Sequence, residues 1–75
     1  MRRQQSHARY LLCLRNDGYS TSLLPRRLYE QLADAGAEAH GLVRILDESG
    51  EDYLYPKSLF AELHLPTTIV RALAA

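Results

Sequence analysis

Residues 50–60 read Gly50-Glu51-Asp52-Tyr53-Leu54-Tyr55-Pro56-Lys57-Ser58-Leu59-Phe60, and this segment is the most informative part of the sequence about its architecture. It follows an aliphatic run at 42–46 and an acidic turn at 47–50, so we predict a β-hairpin whose second arm ends at Pro56. Proline cannot donate to a β-ladder and therefore closes the strand. A single helical turn and a short strand at 61–65 follow. This order is typical of the end of a small β-barrel.

The register of this hairpin depends on its loop. A loop of residues 47–50 without a bulge pairs Leu46 with Glu51, Arg44 with Tyr53 and Leu42 with Tyr55. In that register Val43, Ile45 and Leu54 point inward. Arg44 then lies beside Tyr53 on the outer face as a cation–π pair. A one-residue bulge at Gly50 instead turns one arm over and sends both tyrosines inward, and the sequence leaves the two registers open.

Four further segments surround the hairpin. The polar residues 1–7 are predicted to be a tail, and residues 8–15 form a first strand that is apolar on both faces. The turn signal Asn16-Asp17-Gly18 predicts that residues 19–24 return as the antiparallel partner of that strand. Residues 67–75 are predicted to form a short C-terminal helix.

Residues 25–41 allow two interpretations. Pro25 at a first helical position, followed by apolar residues at helical spacing, favours an amphipathic helix. The alternative keeps residues 27–32 extended and lets Asp34 cap a short helix through Glu38.

A resemblance bears on this choice. It rests on three motifs: Gly18-Tyr19-x-x-Ser22-Leu23, Tyr29-x-x-Leu32-x-Asp34, and Gly41-Leu42-x-Arg44-x-x-Asp47-Glu48-x-Gly50-Glu51-Asp52-Tyr53-Leu54-Tyr55-Pro56. Over residues 9–66 the chain resembles a family of uncharacterised small bacterial proteins with SH3-like barrels. The resemblance implies an extended segment at 28–32, so we adopt the strand there. The family pattern has a proline at the position of Ala33, and this departure leaves the helical alternative for residues 25–41 open. The resemblance implies no activity.

The predicted fold is therefore mainly β. Residues 8–66 form a small SH3-like antiparallel barrel of about five strands with short helical turns. A looser resemblance to eukaryotic SH3 domains implies that Leu54, Pro56 and Leu59 line a peptide groove, while Tyr55 and Phe60 lie in the core. The groove of those domains needs a tryptophan, and this chain has none, so we do not expect binding of PxxP peptides.

Size and composition narrow the classes of function. Seventy-five residues make one domain, and its single cysteine, Cys13, cannot form an intramolecular disulfide. Acidic and basic residues balance to a net charge of zero, which disfavours a general nucleic-acid binder and mildly favours self-association. The sequence shows no signal peptide and no membrane span, so we expect a cytoplasmic protein without a membrane partner.

The residues offer no catalytic constellation. The three histidines are far apart, Cys13 sits among leucines, and no serine lies in a nucleophile elbow. The four acids between 47 and 52 match no EF-hand spacing and are more typical of a soluble hairpin tip. We therefore expect no enzyme activity, no cofactor and no metal.

Two surfaces remain as candidates for binding. An unknown protein partner is expected at Arg44, Glu51, Asp52, Tyr53 and Tyr55, because tyrosine is common at interfaces. The alternative is a nucleic-acid site formed by Arg15, Arg26, Arg27, Tyr19 and Tyr29, where arginines would hold phosphates and tyrosines would stack on bases. A further alternative is a structural subunit of a homodimer or larger homo-oligomer that packs through its C-terminal helix.

Overall fold

The computed structural model describes residues 9–74, which form a mainly β domain with five strands. The strands are β1 (Arg9–Cys13), β2 (Leu28–Leu32), β3 (Leu42–Leu46), β4 (Asp52–Pro56) and β5 (Phe60–Glu62). A short helix α1 (Ala35–Glu38) precedes β3, a 3₁₀ turn (Lys57–Leu59) joins β4 to β5, and helix α2 (Thr67–Ala74) ends the chain. The predicted tail at 1–7, together with Ala8 and Ala75, lies outside the described residues.

All strand pairs are antiparallel, and the sheet order is β4-β3-β2-β1-β5. The sheet is open in its hydrogen bonding, since no ladder within residues 9–74 joins β4 to β5. These two edge strands are nevertheless linked by only the three residues of the 3₁₀ turn. Such a link spans at most about 14 Å, whereas the edges of a flat five-stranded sheet lie about 19 Å apart. The sheet must therefore curl.

The core fills the concave side of this curled sheet. Its buried apolar residues come from all five strands, from the loop before β2 and from the 3₁₀ turn: Leu11, Cys13, Leu23, Tyr29, Val43, Ile45, Tyr55, Leu59 and Phe60. Val43 and Ile45 point inward, as predicted from the alternation in β3. Tyr55 and Phe60 are both buried, in agreement with what the SH3 resemblance implied for them.

The prediction of a strand at residues 19–24 is wrong. Residues 14–27 form a long loop, and the strand that pairs with β1 is β2. The Tyr19 carbonyl accepts the N–H groups of Ser22 and Leu23, which folds the segment into tight turns. Leu23 is completely buried within this loop. This burial accounts for an apolar side chain at position 23, which the predicted strand at 19–24 included.

For the ambiguous segment, the strand was the correct choice. β2 occupies Leu28–Leu32, and α1 follows at Ala35–Glu38. The Asp34 carboxylate accepts the N–H of Ala37 at 3.0 Å and so caps α1 as predicted. The local helical propensity of residues 25–35 is overridden because Tyr29 is needed in the core.

Of the two hairpin registers that the sequence leaves open, the bulge-free one is wrong, and the second arm is shifted by one residue from it. The loop has five residues, 47–51, so that Ile45 pairs with Tyr53, Val43 with Tyr55, and Arg44 with Leu54. The Asp47 carboxylate accepts hydrogen bonds from the N–H and hydroxyl of Ser49, and the Asp47 N–H bonds to the Glu51 carbonyl. These local bonds lengthen the loop by one residue. Leu54 therefore points outward and the predicted Arg44–Tyr53 cation–π pair does not form.

The C-terminal part agrees with its prediction except in one strand. β5 covers Phe60–Glu62 and ends before the predicted limit at residue 65. Helix α2 lies at Thr67–Ala74, with none of its residues buried. Within residues 9–74, no helix reaches the length and hydrophobicity that crossing a membrane requires.

Candidate functional site

A surface cleft lies between the loop before β2 and the tip of the β3–β4 hairpin. It has a volume of about 470 Å³, and we call it the tip groove. Its lining residues are Tyr19, Thr21, Ser22, Asp47, Ser49, Glu51, Tyr53, Leu54 and Tyr55. Three of the five residues predicted to bind a protein partner, Glu51, Tyr53 and Tyr55, are among them.

Tyr55 forms the rigid floor of the tip groove. Its side chain is 3% exposed, and its hydroxyl donates to Asp47 Oδ2 at 2.5 Å. The Ser22 hydroxyl lies within hydrogen-bond distance of the same phenol oxygen, at 2.9 Å. The Tyr19 ring packs edge-on against the Tyr55 ring, with centroids 5.0 Å apart. One buried phenol thus ties the loop before β2 to the hairpin tip.

Burial and these hydrogen bonds set the protonation states of Tyr55 and Asp47 at the floor of the groove. Burial raises the pKa of Tyr55, and the hydrogen bond to the Asp47 carboxylate raises it further. Burial alone would also raise the pKa of Asp47. Hydrogen bonds from Ser49 and Tyr55 outweigh that effect and hold the pKa of Asp47 below its usual value. At neutral pH the floor therefore carries a neutral phenol and an ionised carboxylate.

Tyr53 stands at the rim of the tip groove with 53% of its surface exposed. Its hydroxyl donates to Glu51 Oε1 at 3.2 Å, a contact that raises the pKa of Tyr53. Leu54, also exposed, lies next to it on β4. An aromatic and an aliphatic side chain are thus presented to solvent at the edge of a cleft whose floor is fixed by hydrogen bonds.

The other two predicted residues, Arg44 and Asp52, belong to the convex face of the sheet. Arg44 bridges two carboxylates: its Nη2 lies 2.7 Å from Asp34 Oδ2 and its Nη1 lies 2.9 Å from Asp52 Oδ2. A hydrogen bond from Ala37 N–H, then one from Arg44, lower the pKa of Asp34. Arg44 therefore joins the α1 cap to β4 and lies away from Tyr53.

The residues of the alternative nucleic-acid site are mostly engaged in internal contacts. Tyr29 is 5% exposed; its hydroxyl donates to Glu48 Oε2 at 2.6 Å and accepts the Leu24 N–H at 2.8 Å. Burial, followed by the Glu48 hydrogen bond, raises the pKa of Tyr29 to about 12. Arg27 also pairs with Glu48, at 3.3 Å.

The other three residues of the alternative nucleic-acid site, Arg15, Tyr19 and Arg26, lie in the loop at 14–27. Arg15 pairs with Asp17 at 3.6 Å, and Tyr19 packs on Tyr55. Arg26 is exposed and adopts a left-handed conformation with φ of 66°. Arg15, Arg26 and Arg27 all lie in the loop at 14–27. The rings of Tyr19 and Tyr29, which would have to stack on bases, instead pack against other parts of the domain.

Each acidic residue of the hairpin tip bonds to a different side chain, so the four carboxylates do not share one partner. Asp47 bonds to Tyr55, Glu48 to Tyr29, Asp52 to Arg44 and Glu51 to Tyr53. Across residues 9–74, no three His, Cys, Asp or Glu side chains are grouped as metal ligands. Cys13 is free and buried, and burial raises the pKa of its thiol.

Sequence reasoning missed Thr21, Ser22, Asp47 and Ser49 as groove residues. The strand assigned to 19–24 would have carried the first two away from the hairpin tip. Ser22 lies in the polar run Ser20-Thr21-Ser22, so its contact with the buried phenol had no distinct signal in the sequence.

Comparison of the chain with protein-family models, with curated proteins and with solved structures finds no significant match. The geometry of the tip groove is therefore the feature of this chain that points to a function.

Proposed function

We propose that this chain is a non-catalytic interaction module, built as an SH3-like barrel, that binds a protein partner in the tip groove. The observation that carries this proposal is Tyr53, a largely exposed aromatic side chain at the rim of a cleft with a rigid floor. Binding energy at protein interfaces is concentrated in such anchors, because tyrosine offers a large apolar ring and a polar hydroxyl with few rotatable bonds.

The order of elements supports the SH3-like interpretation of the fold. A long loop follows β1, a short helical segment precedes β3, a hairpin joins β3 to β4, and a 3₁₀ turn leads into β5. The peptide groove of eukaryotic SH3 domains does not transfer, since Leu59 is buried in the core. The tip groove is the surface we propose instead.

Removing the aromatic side chain of Tyr53 tests the proposed function. The tagged chain, its Tyr53→Ala variant and a Leu14→Ala control are each used to copurify partners from the native cell, with and without nuclease. Leu14 is exposed to a similar degree but lies outside the tip groove. We expect a nuclease-resistant partner that is retained by Leu14→Ala and lost with Tyr53→Ala.

A partner kept by Tyr53→Ala would contradict the proposed site. A partner that disappears with nuclease, or nucleic acid in the eluate, would favour the arginines at 15, 26 and 27. The free buried thiol of Cys13 is consistent with a reducing cytoplasm as the compartment in which to search.

A further inference from the structure

The outer edge of β4 carries main-chain groups that pair with nothing else among residues 9–74. The Asp47 N–H bonds to the Glu51 carbonyl and the Lys57 N–H bonds to the Gly41 carbonyl, at the two ends of the β3–β4 ladder. Residues two apart in a strand direct their N–H and C=O to the same side. The odd-numbered residues of β4 therefore face β3, and the main-chain groups of Asp52, Leu54 and Pro56 face outward.

Two charged residues flank this edge symmetrically. Among the residues that the structure describes, the Glu51 carboxylate accepts a hydrogen bond only from the Tyr53 hydroxyl two residues away and from no cation. Glu51 and Lys57 lie three residues before and three residues after Leu54, and neither makes an ion pair within the described part of the chain. Lys57 is the only lysine in the sequence. An edge with opposite charges at equal distances from its centre is complementary to a second copy of itself running antiparallel.

We propose that two copies of this chain associate through β4, antiparallel, about a two-fold axis at Leu54. In this register the N–H and C=O of Leu54 bond to those of Leu54 in the second copy. The N–H of Asp52 bonds to the Pro56 carbonyl of the second copy, and the reverse. Because proline has no N–H, the seam contains four main-chain hydrogen bonds.

The side chains favour this register. Glu51 lies opposite Lys57 of the second copy on both sides of the axis. A shift that placed Tyr53 on the axis would instead bring the two Asp52 side chains into diagonal contact. Asp52 in the proposed register lies opposite Pro56, and its charge is compensated by Arg44 within its own copy. The zero net charge of the chain adds no general repulsion between copies.

This pairing goes beyond the proposed function, although Glu51, Tyr53 and Leu54 belong to both surfaces. The oligomeric state of the purified chain, measured without any partner, tests the pairing alone. Loss of partner binding in the copurification experiment tests only the tip groove.

The test is a charge swap followed by sedimentation equilibrium over a range of protein concentrations. We expect the unmodified chain to form dimers. Lys57→Glu and Glu51→Lys each place two like-charge contacts across the seam, and we expect each to raise the dissociation constant roughly tenfold. The double variant Glu51→Lys/Lys57→Glu restores opposite charges, so its dissociation constant should return to within about threefold of the original.

A chain that stays monomeric at millimolar concentration would overturn the proposal, as would a dimer whose dissociation constant neither single variant changes. Leu54→Cys provides a test that does not depend on the charges. Its cysteines on the axis lie about 5.5 Å apart between Cα atoms, which suits a disulfide, and the native Cys13 is buried. Mild oxidation should give a covalent dimer much faster than with the exposed Leu14→Cys control; equal rates would contradict the seam.

Discussion

The hydroxyl of Tyr55 is the clearest test of how the tip groove is held. Tyr55→Phe removes one oxygen atom and leaves the ring packing against Tyr19 intact. Asp47 Oδ1 keeps its hydrogen bonds from Ser49, but Oδ2 of this buried carboxylate loses its bond from Tyr55. Leaving a buried charged acceptor without its donor costs about 2 kcal/mol of unfolding free energy.

That loss is large for a domain of this size, whose total unfolding free energy is expected to be about 4–11 kcal/mol. The midpoint of thermal unfolding should fall by about 8–16 °C. Urea unfolding followed by far-UV circular dichroism measures the change. Tyr53→Phe is the matched control, because its hydroxyl is exposed, and it should change the unfolding free energy by less than about 0.5 kcal/mol.

A double-mutant cycle identifies the origin of the loss. In an Asp47→Asn background the carboxylate is already absent, so Tyr55→Phe should cost distinctly less than it does in the unmodified chain. If Tyr55→Phe and Tyr53→Phe were equally mild, the buried phenol–carboxylate bond would not be what holds the groove floor, and the reasoning would fail.

Three further predictions concern the loop at 14–27 and Tyr29. Leu23→Ala should lower the unfolding free energy by about 2–5 kcal/mol, because Leu23 is completely buried, while the exposed neighbour Leu24→Ala should cost about 0.5 kcal/mol or less in the same urea titration. Arg26→Gly should stabilise the domain by up to roughly 1 kcal/mol, since glycine adopts φ of 66° without strain; an appreciable loss of stability would show that the Arg26 side chain makes a needed contact. The pKa of Tyr29 is raised from about 10 in the unfolded chain to about 12 in the folded one, so its contribution to stability is complete below pH 10 and is lost as the pH rises through 12. Urea midpoints measured across that interval should fall, and Tyr29→Phe should fall less steeply.

Local patterns predicted most of the strands correctly. Alternation in β3, the proline at the end of β4 and the aspartate before α1 are signals whose physical cause lies within a few residues, and the structure has the corresponding elements. The extended conformation of β2 is different. Its local propensity favours a helix, and the resemblance to small bacterial barrels, rather than the residues alone, led to the strand.

The failures share one cause. The turn signal at 16–18 predicts a returning strand at 19–24, yet Leu23 of this segment lies in a loop and is buried in one cluster with residues from strands far along the chain. The hairpin register depended on whether the Asp47 side chain would bond to Ser49, a choice coupled to the burial of Tyr55. Neither the short-range bond between Asp47 and Ser49 nor the contacts between segments distant in sequence leave a periodic signal, so the tip groove could not be assembled from the sequence.

The position of β5 in the sheet has a consequence for how the chain acquires its structure during synthesis. β1 is made first, but one of its two neighbours is β5, with Cys13 opposite Phe60. Until Phe60 has left the ribosome, β1 has an open edge and Leu11 and Cys13 lack part of their cover. We therefore expect no stable folded fragment that ends before β5, and we expect the domain to fold only when almost all of the sheet has emerged, as one cooperative unit.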